Sequence, residues 1–156
     1  MQTEAWKLDP IASALRGENP SVLARMKSGF ATFGYNQFFP GYCVLLGVPK
    51  VGSLNDLPYD KRSEFLLDMS LLGDAILAVN NPVRINYAIL GNGDHYLHAH
   101  LFPRYDWEPE EYKTGTVWSY PKGTLSDSRY AYSEEKHGPM KEKIKQKLLE
   151  LMKQAY

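Results

Sequence analysis

One cysteine stands in the whole chain. Cys43 has no partner for an internal disulfide, so packing and hydrogen bonds must hold the fold, and a reducing, cytoplasmic setting is expected. It lies inside an apolar run and reads as a small core residue rather than a nucleophile. An excess of either charge is also missing: 18 basic and 18 acidic residues give a formal net charge of +0 at pH 7. Proteins that grip long nucleic acid by neutralising phosphates carry a basic excess, so no long nucleic acid is expected as a partner. No apolar run approaches the roughly 20 residues that cross a bilayer, and the first residues lack the charged-then-apolar pattern of a secretory signal, so no membrane partner is expected. Repeats and low-complexity segments are lacking as well. The remaining composition, 44% hydrophobic and 23% charged over 156 residues, suits a single domain spanning 1–156 with a real core. Histidine is scarce too: there are four, and three of them fall between Gly91 and Tyr105.

That cluster organises the reading. From Tyr96 to Phe102 the side chains are apolar or aromatic apart from the histidines, and Pro103 is expected to end the run as a strand. A strand alternates its side chains between two faces. Tyr96, His98, His100 and Phe102 then share one face, and Leu97, Ala99 and Leu101 share the other. Two imidazoles stand side by side, with a core-forming surface behind them. Gly91, Asn92, Gly93 and Asp94 read as a turn rich in backbone N–H groups, a plausible cradle for a phosphate beside the imidazoles.

The rest of the chain supplies the frame. An N-terminal helical arm is expected over about 1–27, with starts at Asp9-Pro10 and again at Asn19-Pro20. Gly29–Tyr35 and Tyr42–Val48 read as strands, the second buried on both faces. A long helix is expected from near Pro58 to about Val79, with Phe65, Leu66, Met69, Leu72, Ile76 and Val79 as its apolar stripe. Arg84–Leu90 reads as a strand antiparallel to the histidine strand. Residues 106–135 form a long irregular segment anchored by aromatics such as Trp118, and a helix closes the chain over about 139–155. The order points to an α+β fold with a single antiparallel sheet of about five strands packed with helices.

The segment His98-Ala99-His100-Leu101-Phe102-Pro103-Arg104-Tyr105 resembles the end of the histidine triad (HIT) signature. Arg84-Ile85-Asn86-Tyr87-Ala88-Ile89-Leu90-Gly91-Asn92 and Gln37-Phe38-Phe39-Pro40-Gly41-Tyr42 resemble the strands around the triad in the bacterial, diadenosine-polyphosphate-hydrolase-like branch of that family. Two positions depart from it. Tyr96 stands where the first triad histidine belongs, with His95 one residue earlier and on the other strand parity. Pro49-Lys50-Val51 stands in a loop where relatives often carry a histidine.

The resemblance implies a HIT-like fold and a nucleotide substrate. It implies a two-step displacement in which His98 attacks the α-phosphate of a dinucleoside polyphosphate or a nucleoside phosphoramidate, and water then releases the monophosphate. His100 would bond the phosphoryl oxygens or the leaving group, and Asn92 would be a neutral donor to the phosphate. Gln37 would approach the sugar or phosphate, or else bond its own turn. Asn86 would face the pocket or solvent. Arg104 would neutralise a polyphosphate or form a structural ion pair. Tyr96 and His95 would border the substrate. No cofactor and no metal are implied, and a homodimer is compatible with the aromatic segment. Two other readings stand beside this one. One is a catalytically weak or inactive nucleotide-binding module. The other is a metal hydrolase, since His-x-His on a strand is a zinc-ligand spacing that would need His95, Asp94 or His137 as a third ligand.

Overall fold

Five antiparallel strands form one sheet in a computed structural model that describes residues 4–156. They are β1 (Val22–Met26), β2 (Gly29–Phe33), β3 (Cys43–Gly47), β4 (Arg84–Ala88) and β5 (His98–Arg104), in the spatial order β1-β2-β3-β5-β4. The helices are α1 (Pro10–Leu15), α2 (Tyr59–Asn80), α3 (Glu110–Lys113) and α4 (Glu134–Ala155), joined by short 3-10 turns. The expected α+β architecture with one antiparallel sheet is the one observed. Among the described residues no helix is long and apolar enough to cross a membrane.

The two faces of the sheet differ. Ala31, Phe33, Cys43, Leu45, Ala99 and Leu101 point to one side and pack on Phe65, Leu72 and Ile76 of α2 and Ile144 and Leu148 of α4. Each large side chain there is all but inaccessible, and full burial contributes roughly 1.5–3 kcal/mol apiece. The other face carries two separate apolar clusters. Phe30 and Leu46 meet Ile11 and Ala14 of α1 at one end. Phe102 meets Phe39, Val117 and Tyr120 at the other. His98 and His100 lie on this face between them.

Local pattern misleads at four places. Residues 22–26 of the expected helical arm form an edge strand, while α1 is a helix as expected. Spacing of apolar residues at 22, 23 and 26 suits a helix, but pairing with β2 satisfies that strand's free edge, and a bulge between Val22 and Ala24 disguises the alternation. Asn19 caps no helix: its side chain accepts from Ser21 N at 2.9 Å and donates to Pro10 O at 3.0 Å. Pro103 does not end β5, which runs on to Arg104 opposite Arg84. Arg104 O accepts from Val83 on the β4 side, so Pro103 turns its N-less edge toward β3, whose pairing has already stopped at Cys43. The last helix begins five residues before Pro139, because Ser133 Oγ accepts from Lys136 N at 3.2 Å and caps it. On α2, Leu66 is 42% exposed, and Leu71 and Ala75 complete the buried stripe in its stead.

Candidate functional site

β5 positions the histidines through its register with β3. His98 pairs with Leu46 and His100 with Val44, so both imidazoles rise from the central part of the sheet rather than from a loop. Their ring centroids are 4.9 Å apart at 78°. The Tyr96 ring stands 5.0 Å from His98 and continues the row, as the alternation predicted. A hollow of about 280 Å³ opens over this row, lined by Tyr96, His98, His100, Thr32, Tyr42 and Asp94 among others.

Each imidazole has one nitrogen committed to the protein. His98 Nδ1 lies 2.7 Å from the carbonyl oxygen of Tyr96. A carbonyl only accepts, so Nδ1 carries the proton and Nε2 holds a free lone pair. The partner is a backbone carbonyl, so this bond does not depend on the side chain at position 96. His100 Nδ1 lies 2.7 Å from the Tyr42 hydroxyl. That phenol is deeply set and has no other hydrogen-bond partner among the described residues. Donation from Tyr42 to Nδ1 satisfies it and leaves the His100 proton on Nε2, as a donor. Burial, reinforced by the charge His98 would carry, pushes the His100 pKa down to about 4, so the ring is neutral at pH 7. Burial raises the Tyr42 hydroxyl well above its ordinary value. Burial and the nearby Asp94 carboxylate hold Tyr96 at about 12, so it brings no charge to the site.

Tyr42 was not legible as a site residue. It just precedes β3, and the face it shares with Val44 and Leu46 matters only once β3 is known to lie against β5. Its ring stacks on Phe102 at 4.3 Å and 3°, which fixes its hydroxyl beside His100. Gly34 leaves room for that ring, since a Cβ there would collide with it.

Other expected site residues lie elsewhere. Gln37 is a turn residue: its Nε2 donates to Gly34 O at 2.9 Å and Tyr42 O at 3.1 Å, and its Oε1 accepts from Gly41 N at 2.8 Å. Arg104 is on the histidine face, but four residues past His100, about 13 Å along the strand. It is 6% exposed and ion-paired to Glu108 at 2.8 Å. Asn86 Oδ1 accepts from Arg104 Nη1 at 2.8 Å, and Gly115 O and Tyr112 O take further guanidinium protons at 2.8 and 3.1 Å. Burial pushes the Glu108 carboxyl up, but bonds from Arg104, Tyr105 N and the Tyr120 hydroxyl outweigh it and hold it below its usual range. This cluster is an anchor for the 106–120 segment, with the arginine's donors saturated. Asn92 and His95 are exposed in the loop before β5 and do not line the hollow. His95 lies outside the strand pairing, one residue off the parity that serves the site.

Lys50 lies in the loop after β3. Its Nζ is 5.4 Å from the Tyr96 ring centroid and 3.4 Å from Asp9 Oδ2. As to metal, among the described residues no group of three or more His, Cys, Asp or Glu is placed to hold an ion. His137, a proposed third ligand, packs on Tyr132 and accepts from Ser133 N at 3.0 Å.

No protein-family model matches the sequence, and no curated protein matches it. Solved structures do. A histidine triad protein from Marinobacter aquaeolei VT8 is similar with a TM-score of 0.68 and 23% identity, over 83% of this chain and 89% of that one. A histidine triad protein from Sinorhizobium meliloti 1021 gives a TM-score of 0.70 and 16% identity, over 94% of this chain and 96% of that one. A diadenosine triphosphate hydrolase from Plasmodium falciparum, solved with cyclomarin A, gives 0.59 and 17%, over 83% and 77%. At these identities the likeness is one of fold, and the fold is HIT-like.

Proposed function

We propose that the chain is a nucleotide hydrolase of the histidine triad family, acting at the α-phosphate of a nucleoside phosphate derivative through a nucleotidyl intermediate on His98. The observation that carries this reading is the 2.7 Å bond from His98 Nδ1 to the Tyr96 carbonyl. It fixes the tautomer, so that the lone pair of Nε2 is available in the hollow.

The chemistry follows from the two nitrogens. Nε2 of His98 forms a bond to phosphorus as the bond to the leaving group breaks. The leaving group takes up one proton. Water then attacks the same phosphorus, the phosphorus–nitrogen bond breaks, and the nucleoside monophosphate departs as one proton is returned to solvent. The sum is hydrolysis, with one hard step divided into two. His100 Nε2–H supplies a neutral donor to a phosphoryl oxygen. Donors aimed at developing charge contribute a large share of such catalysis.

The test uses a fluorogenic AMP amidate and diadenosine polyphosphates, with AMP release as the readout. Turnover that vanishes in His98→Ala, and a phosphorus–histidine adduct trapped on mixing, support the enzyme. Tight AMP binding without turnover marks a nucleotide-binding module instead.

A further inference from the structure

The hollow over His98 and His100 is short of positive charge for a site that is to hold a phosphate. Asp94 is its one carboxylate, and no lysine or arginine lines it. His100 is neutral at pH 7 and Tyr96 is uncharged, so neither offers a cation. A nucleoside phosphate entering there meets Asp94 with no lysine or arginine to offset it, although catalysis at phosphorus rests on neutralising negative charge. One cation stands at the rim. Val51 O accepts from Leu97 N at 2.8 Å and lays the loop after β3 beside the start of β5. Lys50, in that loop, reaches over the Tyr96 ring, and that ring abuts His98. A single aromatic ring therefore separates the ammonium from the imidazole. On its other side the ammonium meets Asp9 Oδ2 at 3.4 Å. Asp9 is the N-cap of α1, next to Pro10, which lines the hollow.

We propose that Lys50 exchanges Asp9 for the substrate: its ammonium crosses the Tyr96 ring and binds the phosphate held beside His98, as the cation of the site. The inference rests on the hydrolase reading and adds a catalytic residue to it. The resting pair is built to let go. Its contact is long, and both side chains are about half exposed, 51% for Lys50 and 45% for Asp9. An exposed pair of this kind holds its members weakly. A phosphate oxygen in a recessed hollow binds an ammonium by charge-assisted hydrogen bonds, which are stronger. Asp9 does not depend on the pair, because its Oδ1 accepts from Ala12 N at 3.1 Å and caps α1 whether or not Lys50 is there. The lysine stem is long and flexible, and the face of the Tyr96 ring attracts a cation along the way. A tyrosine at position 96 brings no charge to the phosphate, but its ring carries a lysine that does. Lys50 keeps its proton throughout. It offsets the charge on the phosphoryl oxygens while the His98 nitrogen–phosphorus bond forms and the leaving group departs.

The experiment measures two quantities on the full chain: the affinities for AMP and for adenosine, by calorimetric titration, and kcat/KM on a fluorogenic AMP amidate. Lys50→Gln is expected to weaken AMP binding about tenfold, the scale of one charge-assisted hydrogen bond, and to leave adenosine binding unchanged. The same variant lowers kcat/KM by about that factor or more, and the loss shrinks as salt is raised. Lys50→Arg restores both. Asp9→Asn, which keeps the N-cap, frees the lysine and strengthens AMP binding; weaker binding in that variant overturns the exchange. If Lys50→Gln binds AMP and turns over as the native chain does, weakens adenosine as much as AMP, or is matched by Lys50→Arg, the assignment of Lys50 is overturned while turnover by the native chain keeps the hydrolase reading. If AMP binding depends on Lys50 but the native chain releases no AMP from the amidate, the hydrolase reading fails and Lys50 remains the cation for the phosphate. If the native chain neither binds nor releases AMP, both fall.

Discussion

Acid should destabilise this protein through His100 in a way that one substitution removes. The ring is held by Tyr42, packed near Phe102 and Trp118, and its pKa is depressed from 6.5 to about 4. Above pH 6.5 the imidazole is neutral in both the folded and the unfolded chain and adds no pH dependence. Between pH 6.5 and about 4 the unfolded chain takes a proton that the folded one refuses, so stability falls as pH falls. Each unit of depression is worth about 1.4 kcal/mol, which makes about 3 kcal/mol by pH 4, and partial exposure of the ring trims this to about 2 kcal/mol. Urea unfolding at pH 7, 5.5 and 4.5 measures it in the native chain and in His100→Gln, whose amide can still accept from Tyr42. The native chain should lose about 2 kcal/mol more than the variant over this range, since the other titrating groups are common to both. Parallel stability curves for the two proteins would refute the claim that burial keeps this ring neutral.

Tyr42→Phe removes the hydroxyl that fixes the His100 tautomer. It should lower stability by about 1 kcal/mol and kcat on an AMP amidate by about tenfold, read by urea melts and steady-state kinetics. Gly34→Ala pushes the Tyr42 ring aside and should impair kcat in the same direction; a variant as active as the native chain contradicts the packing described. Glu108→Gln strips the charge partner from a 6%-exposed Arg104 and should cost about 3 kcal/mol, a drop in Tm of about 10 °C by calorimetry. Cys43 is fully buried with its thiol pKa raised, so a thiol reagent should react with it only on unfolding, and rapid labelling of the native protein would place it elsewhere.

How far the sequence could be read depends on the range of the interaction. The alternation around His98 and His100 put both imidazoles on one face and Leu97, Ala99 and Leu101 on the other, and the periodic stripe of α2 placed that helix within a residue at each end. Strand parity and helical period are properties of consecutive residues, so the chain alone determined them. The α+β class followed from the order of those elements. Where an element's identity depended on a distant partner, local pattern failed. Residues 22–26 became a strand because β2 had an open edge, and β5 ran through Pro103 because β3 had already ended on that side. The same holds for the site. Gln37, Asn86 and Arg104 are polar residues near the motif in sequence, but Gln37 is bonded to Gly34 and Gly41, and Arg104 to Glu108 and to the Asn86 side-chain oxygen. Tyr42 had no local mark of function and acquires one only through the register that brings it beside His100. Which residues could face one another was written in the order of side chains along each strand. Which ones do was decided by strand pairing across the sheet, where contacts join groups separated by tens of residues and the backbone ladder selects one register.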